Sequence, residues 1–397
     1  ASRSSTEGKG AARLREVLVV AEVALACVLL VGGGLLLRSF VRVLDVDLGF
    51  RPEQTLAWTL ETRRDFESDA ARSAFWDALV EDVLAIPGVE AVGLSDTLPL
   101  GRNRSWGLQA KGVTYERGEG HGAFPRLVDH RYVQAMGIPL IDGRHFSPAD
   151  TAGTQPVALL NESAAREVFP GQDAIGKTIL TGGSEFLVVG VVGDVRHQSL
   201  EGTSGLEMYF PLTQVGAFGT IDMVVRSRTA PAALVGRVRE VLRRADPAMP
   251  TGEYTSLEQI VDRAVSPRRF VLLLLAAFAA AALLLAALGI YGVLSYSVAQ
   301  RRSEIGIRMA LGESASRVRR RVVGRAVILA ITGIVIGCAA SVAVTRLIAS
   351  MLFGVGTADA TTYAVMVAIL LAASALAGYL PARRASRSDP LAPLRAS

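Results

Sequence analysis

The clearest chemical signature in the sequence is residues 171–178 (GQDAIGKT), which match the phosphate-binding pattern G-x-x-x-x-G-K-[ST] at every fixed position. A working phosphate loop follows a buried strand and opens a helix, whose first backbone N–H groups bind the phosphates. Here a predicted helix and the dipeptide Phe169-Pro170 precede the segment, and the turn-forming residues 181–183 (TGG) follow it closely. These surroundings predict a glycine-rich turn, and no nucleotide or other cofactor is expected to bind.

Histidines and cysteines are the other side chains that could do chemistry. Four histidines lack the i, i+4 or H-x-E spacing of metal sites: His121, His130, His145 and His197. The two cysteines, Cys27 and Cys338, lie in apolar segments, which excludes a disulfide framework and a cysteine-based zinc site. No nucleophile motif is present either. The sequence therefore predicts no catalytic, cofactor-binding or metal-ligating residue, and a membrane-anchored enzyme is the least favoured function.

Long apolar segments set the architecture that must position any functional residue. Hydrophobic residues make up 50% of the 397 residues, and the mean hydropathy of +0.36 is high for a soluble protein. Four segments can each cross a ~30 Å hydrocarbon layer as a helix: 17–37, 268–298, 322–349 and 363–380. The first could instead be a cleaved signal peptide, but it is longer than the apolar region of such peptides. We therefore predict four transmembrane helices.

The first apolar segment contains one charged residue, Glu22, one to two turns from its start. An ionisable residue inside a membrane helix often has a function. A residue so close to the helix end can also extend its carboxylate to the interface. The sequence is consistent with both interpretations.

The distribution of charge predicts the orientation. The formal net charge is +5, but residues 38–267 carry 23 basic and 30 acidic residues, a net −7, which leaves +12 for the remainder. Basic residues gather in 1–16, 299–321 and 381–397, whereas 350–362 has none. The positive-inside rule makes both termini and the loop 299–321 cytoplasmic, and 38–267 extracytoplasmic, in an inner membrane. Because membrane orientation accounts for the excess of basic residues, a nucleic-acid partner is not expected.

The extracytoplasmic segment alternates predicted strands and helices. Periodicity predicts two β-α-β units, one over 55–94 and one from 221 onward, which bracket a mostly β subdomain inserted at about 100–215. The predicted fold class is thus a four-helix transmembrane region with a large α+β extracytoplasmic domain.

The loop 299–321 contains a short amphipathic pattern. Ile305, Met309 and Leu311 are apolar among arginines and glutamates, and Gly312 ends the pattern. A solvated basic loop would account for the arginines but not for the apolar side chains. The sequence therefore predicts a short helix that docks on a partner protein.

Residues 289–312 (GIYGVLSYSVAQRRSEIGIRMALG) resemble the signature of MacB/FtsX-type ABC transporter permeases. Further segments fit the same family: 18–40 (LVVAEVALACVLLVGGGLLLRSF), 136–139 (MGIP), 169–177, 189–197 (VGVVGDVRH), 352–355 (LFGV) and 381–384 (PARR). The resemblance covers nearly the whole chain and is closest to one half of the duplicated permeases of acidobacterial type. The linker-like residues 1–10 agree with a fragment of such a longer protein.

The resemblance implies a partner and a site. The partner is a separate cytoplasmic ABC ATPase, and a dimer or pseudo-dimer with a second permease half is also implied. Seven residues match the family's coupling helix: Glu304, Ile305, Gly306, Arg308, Met309, Leu311 and Gly312. The implied function is mechanotransmission, in which ATP hydrolysis moves the extracytoplasmic domain for export or efflux. The alternative is an FtsX-like regulator that controls a periplasmic partner without transport.

Overall fold

The structure, a computed structural model, describes residues 4–62, 64–116, 120–216, 220–249, 254–311, 313–349 and 352–385. The chain divides into two compact units. We call Val46–Ser266 the α/β unit, and Ala1–Asp45 together with Pro267–Ser397 the helical unit.

The helices and strands are numbered in chain order. The helices are α1 (Ser4–Leu44), α2 (Asp69–Leu84), α3 (Tyr132–Ala135), α4 (Glu162–Val168), α5 (Leu212–Val215), α6 (Val235–Ala245), α7 (Leu257–Gln300), α8 (Arg302–Ala310), α9 (Ala315–Leu347) and α10 (Ala360–Ala385). The strands are β1 (Thr55–Leu60), β2 (Val89–Ser95), β3 (Trp106–Ala110), β4 (His121–Val128), β5 (Leu140–Gly143), β6 (Val157–Asn161), β7 (Thr178–Thr181), β8 (Ser184–Val192), β9 (Glu207–Pro211), β10 (Ile221–Ser227) and β11 (Tyr254–Ser256).

Four of the described helices are long and apolar enough to cross a membrane: α1, α7, α9 and α10. The prediction of four apolar helices that could span a membrane is thereby confirmed. The helices extend beyond the apolar segments, because polar residues at their ends can stay helical outside the apolar layer. The longest, α7, has 44 residues and runs through Pro267, where the sequence suggested a start.

In the helical unit, α1 and α9 approach closely at two glycines. A Cβ atom on Gly333 would lie 2.7 Å from Cβ of Val23, and one on Gly337 would lie 2.5 Å from Cβ of Cys27. Small residues allow such close backbone approach between membrane helices, where packing replaces the hydrophobic effect. One turn beyond Gly337, the hydroxyl of Ser341 donates to its carbonyl oxygen at 2.7 Å, which satisfies this buried polar group within α9.

The α/β unit is built on one sheet in the order β11-β1-β10-β2-β4-β3-β7-β8-β6-β9, with β5 paired to β8. The first strands of the two predicted β-α-β units, β1 and β10, are antiparallel neighbours, with Leu56 opposite Val225. Helices α2 and α6 pack on this part of the sheet through a shared core that includes Trp58, Leu79 and Val238. The α+β fold class is therefore confirmed.

The β-rich part, from β3 to β9, continues the same sheet. The two parts meet where Ser95 of β2 pairs with Val128 of β4. Two carboxylates extend this short junction: Asp96 accepts a hydrogen bond from the Leu127 N–H at 2.9 Å, and Asp129 accepts one from the Leu94 N–H at 2.9 Å. The insertion of a mostly β subdomain at about 100–215 stays a prediction, and no sequence pattern shows that side chains prolong the backbone ladder here.

Candidate functional site

The predicted partner-docking residues lie on α8 and the residue that follows it. Arg301 precedes the helix without a side-chain cap, and the Leu311 N–H donates to the Ile307 carbonyl oxygen at 3.0 Å to close the last turn. Gly312, the last of the seven predicted residues, lies outside the described residues.

The sides of α8 differ in exposure. Gly306 is buried, and Ile305 and Met309 are partly exposed. Glu304 and Arg308 are exposed and form an ion pair along the helix at 2.6 Å between Oε1 and Nη2. Glutamate four residues before a basic residue stabilises a helix by about 0.2–0.5 kcal/mol. This pair therefore favours a helical conformation of the segment.

An apolar side chain that the sequence analysis omitted completes the exposed face. Ile307 is 52% exposed and Leu311 is 82% exposed. They are four residues apart, so they lie one above the other on the helix, beside the Glu304–Arg308 pair. We call Glu304, Ile307, Arg308 and Leu311 the exposed α8 face. The missed signal was the i, i+4 spacing of Ile307 with Leu311.

On the side of α7 and α9, α8 borders a small cavity of about 100 Å³. The residues lining it come from the end of α7, from α8 and from the start of α9. Arg321 pairs with Glu313 at 3.3 Å, and Arg325 pairs with Glu16 of α1 at 2.5 Å. Ion pairs thus tie α9 to the linker before it and to α1 at this end of the unit.

The segment with the phosphate-loop pattern is a turn, as the sequence predicted. Gly171 and Gly176 have φ values of 70° and 76°, which an L side chain rarely adopts, and Thr178 opens strand β7. Lys177 donates through Nζ to Oε1 of Gln172 at 3.2 Å across the turn. Because a strand follows instead of a helix, the segment does not present the N–H groups that cradle a phosphate.

The four histidines of the sequence lie in the α/β unit. Within the described residues, no group of three or more His, Cys, Asp or Glu side chains could hold a metal ion. His121 lies 3.8 Å from a carboxylate oxygen of Glu167, and His197 is 2% exposed. Burial lowers the pKa of His145. The pKa of His130 is also lowered, mainly by burial and to a smaller extent by the positive charge of Arg131.

A buried polar cluster between β4 and β9 was missed by the sequence analysis. Arg126 donates through Nη2 to Asn103 at 2.6 Å and lies 3.4 Å from a carboxylate oxygen of Glu207. Tyr209 donates its hydroxyl to the other oxygen of Glu207 at 2.7 Å, and Nε2 of His197 is 3.5 Å from that oxygen. Burial raises the pKa of Glu207 to about 7, against the opposing effect of Arg126. No spacing in the sequence signals this cluster, since its members come from distant strands and loops.

Two family profiles match the chain. One, described as the MacB-like periplasmic core domain, matches residues 20–241, and the other, described as the FtsX-like permease C-terminal region, matches residues 276–390. Together they account for most of the α/β unit and of the helical unit.

Several curated proteins are similar to the chain. The "Probable export ATP-binding/permease protein MacB" of Pseudomonas entomophila is 28% identical over 281 residues, which are 66% of this chain and 41% of that protein. The "Probable syringafactin export ATP-binding/permease protein SyfD" of Pseudomonas syringae pv. tomato is 29% identical over 280 residues, again 66% and 41%. The chain thus spans about two fifths of the length of the curated relatives it matches.

Among solved structures, the periplasmic region of MacB from Actinobacillus actinomycetemcomitans is similar at 18% identity and a TM-score of 0.37, over 56% of this chain and 97% of that one. The core-domain profile alone matches more than half of the residues. The chain also has four apolar helices long enough to cross a membrane and an α/β unit of the expected fold class. It belongs to the family of MacB/FtsX-type ABC transporter permeases.

Proposed function

We propose that this permease couples ATP hydrolysis by a separate cytoplasmic ABC ATPase to movement of its α/β unit, as part of an export system. The single observation that carries the proposal is the exposed α8 face, a short amphipathic helix between two candidate membrane spans. Two large apolar side chains there, Ile307 and Leu311, are exposed to solvent within the described part of the chain. A helix with such a face suits a groove on a partner protein.

The proposal includes an orientation and a partner permease. Both termini and α8 lie in the cytoplasm, because arginine is concentrated in these segments and absent from 350–362. The α/β unit then lies outside the cytoplasm. A second permease half pairs with this chain, since four spans are few for a transport path. Large exposed side chains on α7, among them Phe270 at 67% and Leu284 at 65%, offer a surface for lipid or for that second half.

Energy transfer requires that α8 contact the two states of the ATPase differently. A ligand or partner shifts a conformational equilibrium only by its differential affinity for the two states. The Glu304–Arg308 pair stiffens α8, so a displacement of its exposed face moves the helix as a whole. The direct neighbours of α8 in the chain are α7 and α9, which receive that displacement.

Co-purification tests the proposal. The full chain is co-expressed with candidate ABC ATPases from the same genome, and the bound ATPase is quantified. Replacing Leu311 by Asp places a charge at the most exposed apolar side chain of the exposed α8 face. We expect at least about a tenfold loss of bound ATPase, since an apolar contact that anchors an interface is worth about 2 kcal/mol or more.

The matched control is Ile141→Asp, which introduces the same charge at a side chain 54% exposed in the α/β unit. This variant should retain the ATPase. Equal retention by the Leu311→Asp and Ile141→Asp variants would refute the coupling role of α8. Gly306 is a poorer test position, because it is buried and its substitution perturbs the chain's own packing.

A further inference from the structure

The cavity beside α8 has two chemically distinct halves. One half is apolar and includes Leu294 and Val298 near the end of α7 and Val322 near the start of α9. The other half is polar and has a net positive charge, since four arginines (Arg301, Arg308, Arg321 and Arg325) line it together with two glutamates, Glu304 and Glu313. Leu294 and Val298 are four residues apart, so both face the cavity from adjacent turns of α7. The cavity is therefore amphipathic and lies at the ends of two candidate membrane spans.

The arginines of the cavity are not equally compensated. Three of the four make ion pairs: Arg308 with Glu304 at 2.6 Å, Arg321 with Glu313 at 3.3 Å and Arg325 with Glu16 at 2.5 Å. The side chain of Arg301 makes no ion pair or hydrogen bond within the described part of the chain. One guanidinium thus lines the cavity without a counter-charge.

An anionic phospholipid matches both halves. Guanidinium binds phosphate with charge-assisted and often bidentate hydrogen bonds. Basic pockets between membrane helices bind anionic head groups. The volume of about 100 Å³ is well below the roughly 300–1,000 Å³ of pockets that enclose a whole ligand. The cavity therefore suits only the polar end of a lipid whose acyl chains continue along the helices.

We propose that this cavity binds the phosphate and adjoining glycerol of one anionic phospholipid, with Arg301 as the main phosphate ligand. The apolar residues Leu294, Val298 and Val322 contact the first carbons beyond the glycerol. Glu304 and Arg308 of α8 also line the cavity, so the bound lipid touches α8 as well as α7 and α9. Where α8 is the ATPase-coupling helix, as proposed above, lipid composition thereby regulates the coupling.

Lipid retention by the purified full chain tests the site without any ATPase. The chain in detergent is titrated with phosphatidylglycerol, and bound lipid is counted by native mass spectrometry. We expect one tightly retained phosphatidylglycerol per chain and weaker retention of phosphatidylcholine. Arg301→Gln should weaken phosphatidylglycerol binding by about tenfold, the effect of losing one charge-assisted hydrogen bond, and Arg301→Lys should fall between the two.

Arg319→Gln is the matched control, since Arg319 lies on α9 but is not among the residues lining the cavity. This variant should bind phosphatidylglycerol like the wild type. Val298→Phe fills the apolar half and should weaken binding without changing any charge. Circular dichroism of each variant verifies that the helices are intact.

Four results would overturn the proposal. Equal losses in the Arg301→Gln and Arg319→Gln variants would indicate diffuse attraction to basic residues. Displacement of the lipid by inorganic phosphate at similar concentration, or unchanged binding in the Val298→Phe variant, would indicate a site for a free anion. Loss of ATPase association with unchanged lipid retention in the Arg301→Gln variant would assign Arg301 to the ATPase instead.

Discussion

Glu207 and His197 are buried side by side in the α/β unit, and they should give it two opposite pH dependences. Burial raises the pKa of Glu207 from 4.5 to about 7. Burial, assisted by Arg126, holds the pKa of His197 well below 6.5. Stability rises with pH where the unfolded chain binds more protons than the folded chain, and falls where it binds fewer. The contribution of Glu207 therefore decreases as pH rises from about 4.5 to 7, and that of His197 decreases as pH drops below about 6.5.

The size of the Glu207 effect follows from its pKa, which changes stability by up to about 1.4 kcal/mol per pH unit between about pH 5 and 6.5. Removing one partner should leave the slope of the other. On acidification between those pH values, Glu207→Gln should lose about 2 kcal/mol of unfolding free energy relative to the wild type, and His197→Gln should gain unfolding free energy relative to the wild type.

Tryptophan fluorescence of the full chain in detergent can follow this unfolding. The three tryptophans, Trp58, Trp76 and Trp106, all lie in the α/β unit, so the signal reports on that unit. Denaturant titrations at about pH 5 and 6.5 give the free energies. Burial also raises the pKa of Asp129 to about 7, but this residue is present in every variant and drops out of the comparison. If both substitutions shift stability in the same direction with pH, the assignment of opposite proton uptake is wrong.

Two further predictions concern the packing of α1 against α9. Sγ of Cys27 lies 3.8 Å from Sγ of Cys338, and these are the only two cysteines in the chain. A thiol oxidant should therefore join them within one molecule, after which alkylation should label no thiol. Oxidation that yields only dimers on a non-reducing gel would contradict this packing. Gly337→Val should lower the thermal unfolding temperature of the helical unit in detergent, at a cost of about 1–3 kcal/mol, because its first carbon would meet Cys27 at 2.5 Å. Gly324→Val on the same helix has nothing within 4 Å and should be neutral; equal effects of the two substitutions would refute the close approach.

The membrane spans and the α+β class were predictable because they depend on local periodicity and on the length of apolar segments. The order of strands was not, since β1 and β10 pair across more than 160 residues and no local pattern specifies such a partner. The same reason hid the cluster around Glu207, whose members adjoin only after β4 and β9 pair in parallel. The helices extend beyond the predicted spans, because a hydropathy pattern marks the apolar layer and not the hydrogen-bonded helix.

For α8, the sequence identified the helix but not its sides. The family resemblance names Gly306 and Ile305 together with Leu311, although the first is buried and the last is 82% exposed. Which side of α8 is exposed depends on where α7 and α9 lie relative to it, and the local sequence pattern does not specify this tertiary arrangement. The phosphate-loop pattern illustrates the same limit of the sequence. Its residue types match at every fixed position, yet the segment forms a turn in which Lys177 donates a hydrogen bond to Gln172.

The arginines between α7 and α9 can serve orientation and ligand binding separately. Membrane orientation depends on the number of basic residues in a short loop, and nearby Asp and Glu contribute little to it. Arg308 and Arg321 therefore count toward orientation although Glu304 and Glu313 neutralise them. Binding of an anion, by contrast, depends on charge that no neighbour compensates, as at Arg301. Substitution of Arg301 alone should thus weaken lipid binding without changing the orientation proposed above, because the other arginines of this segment remain.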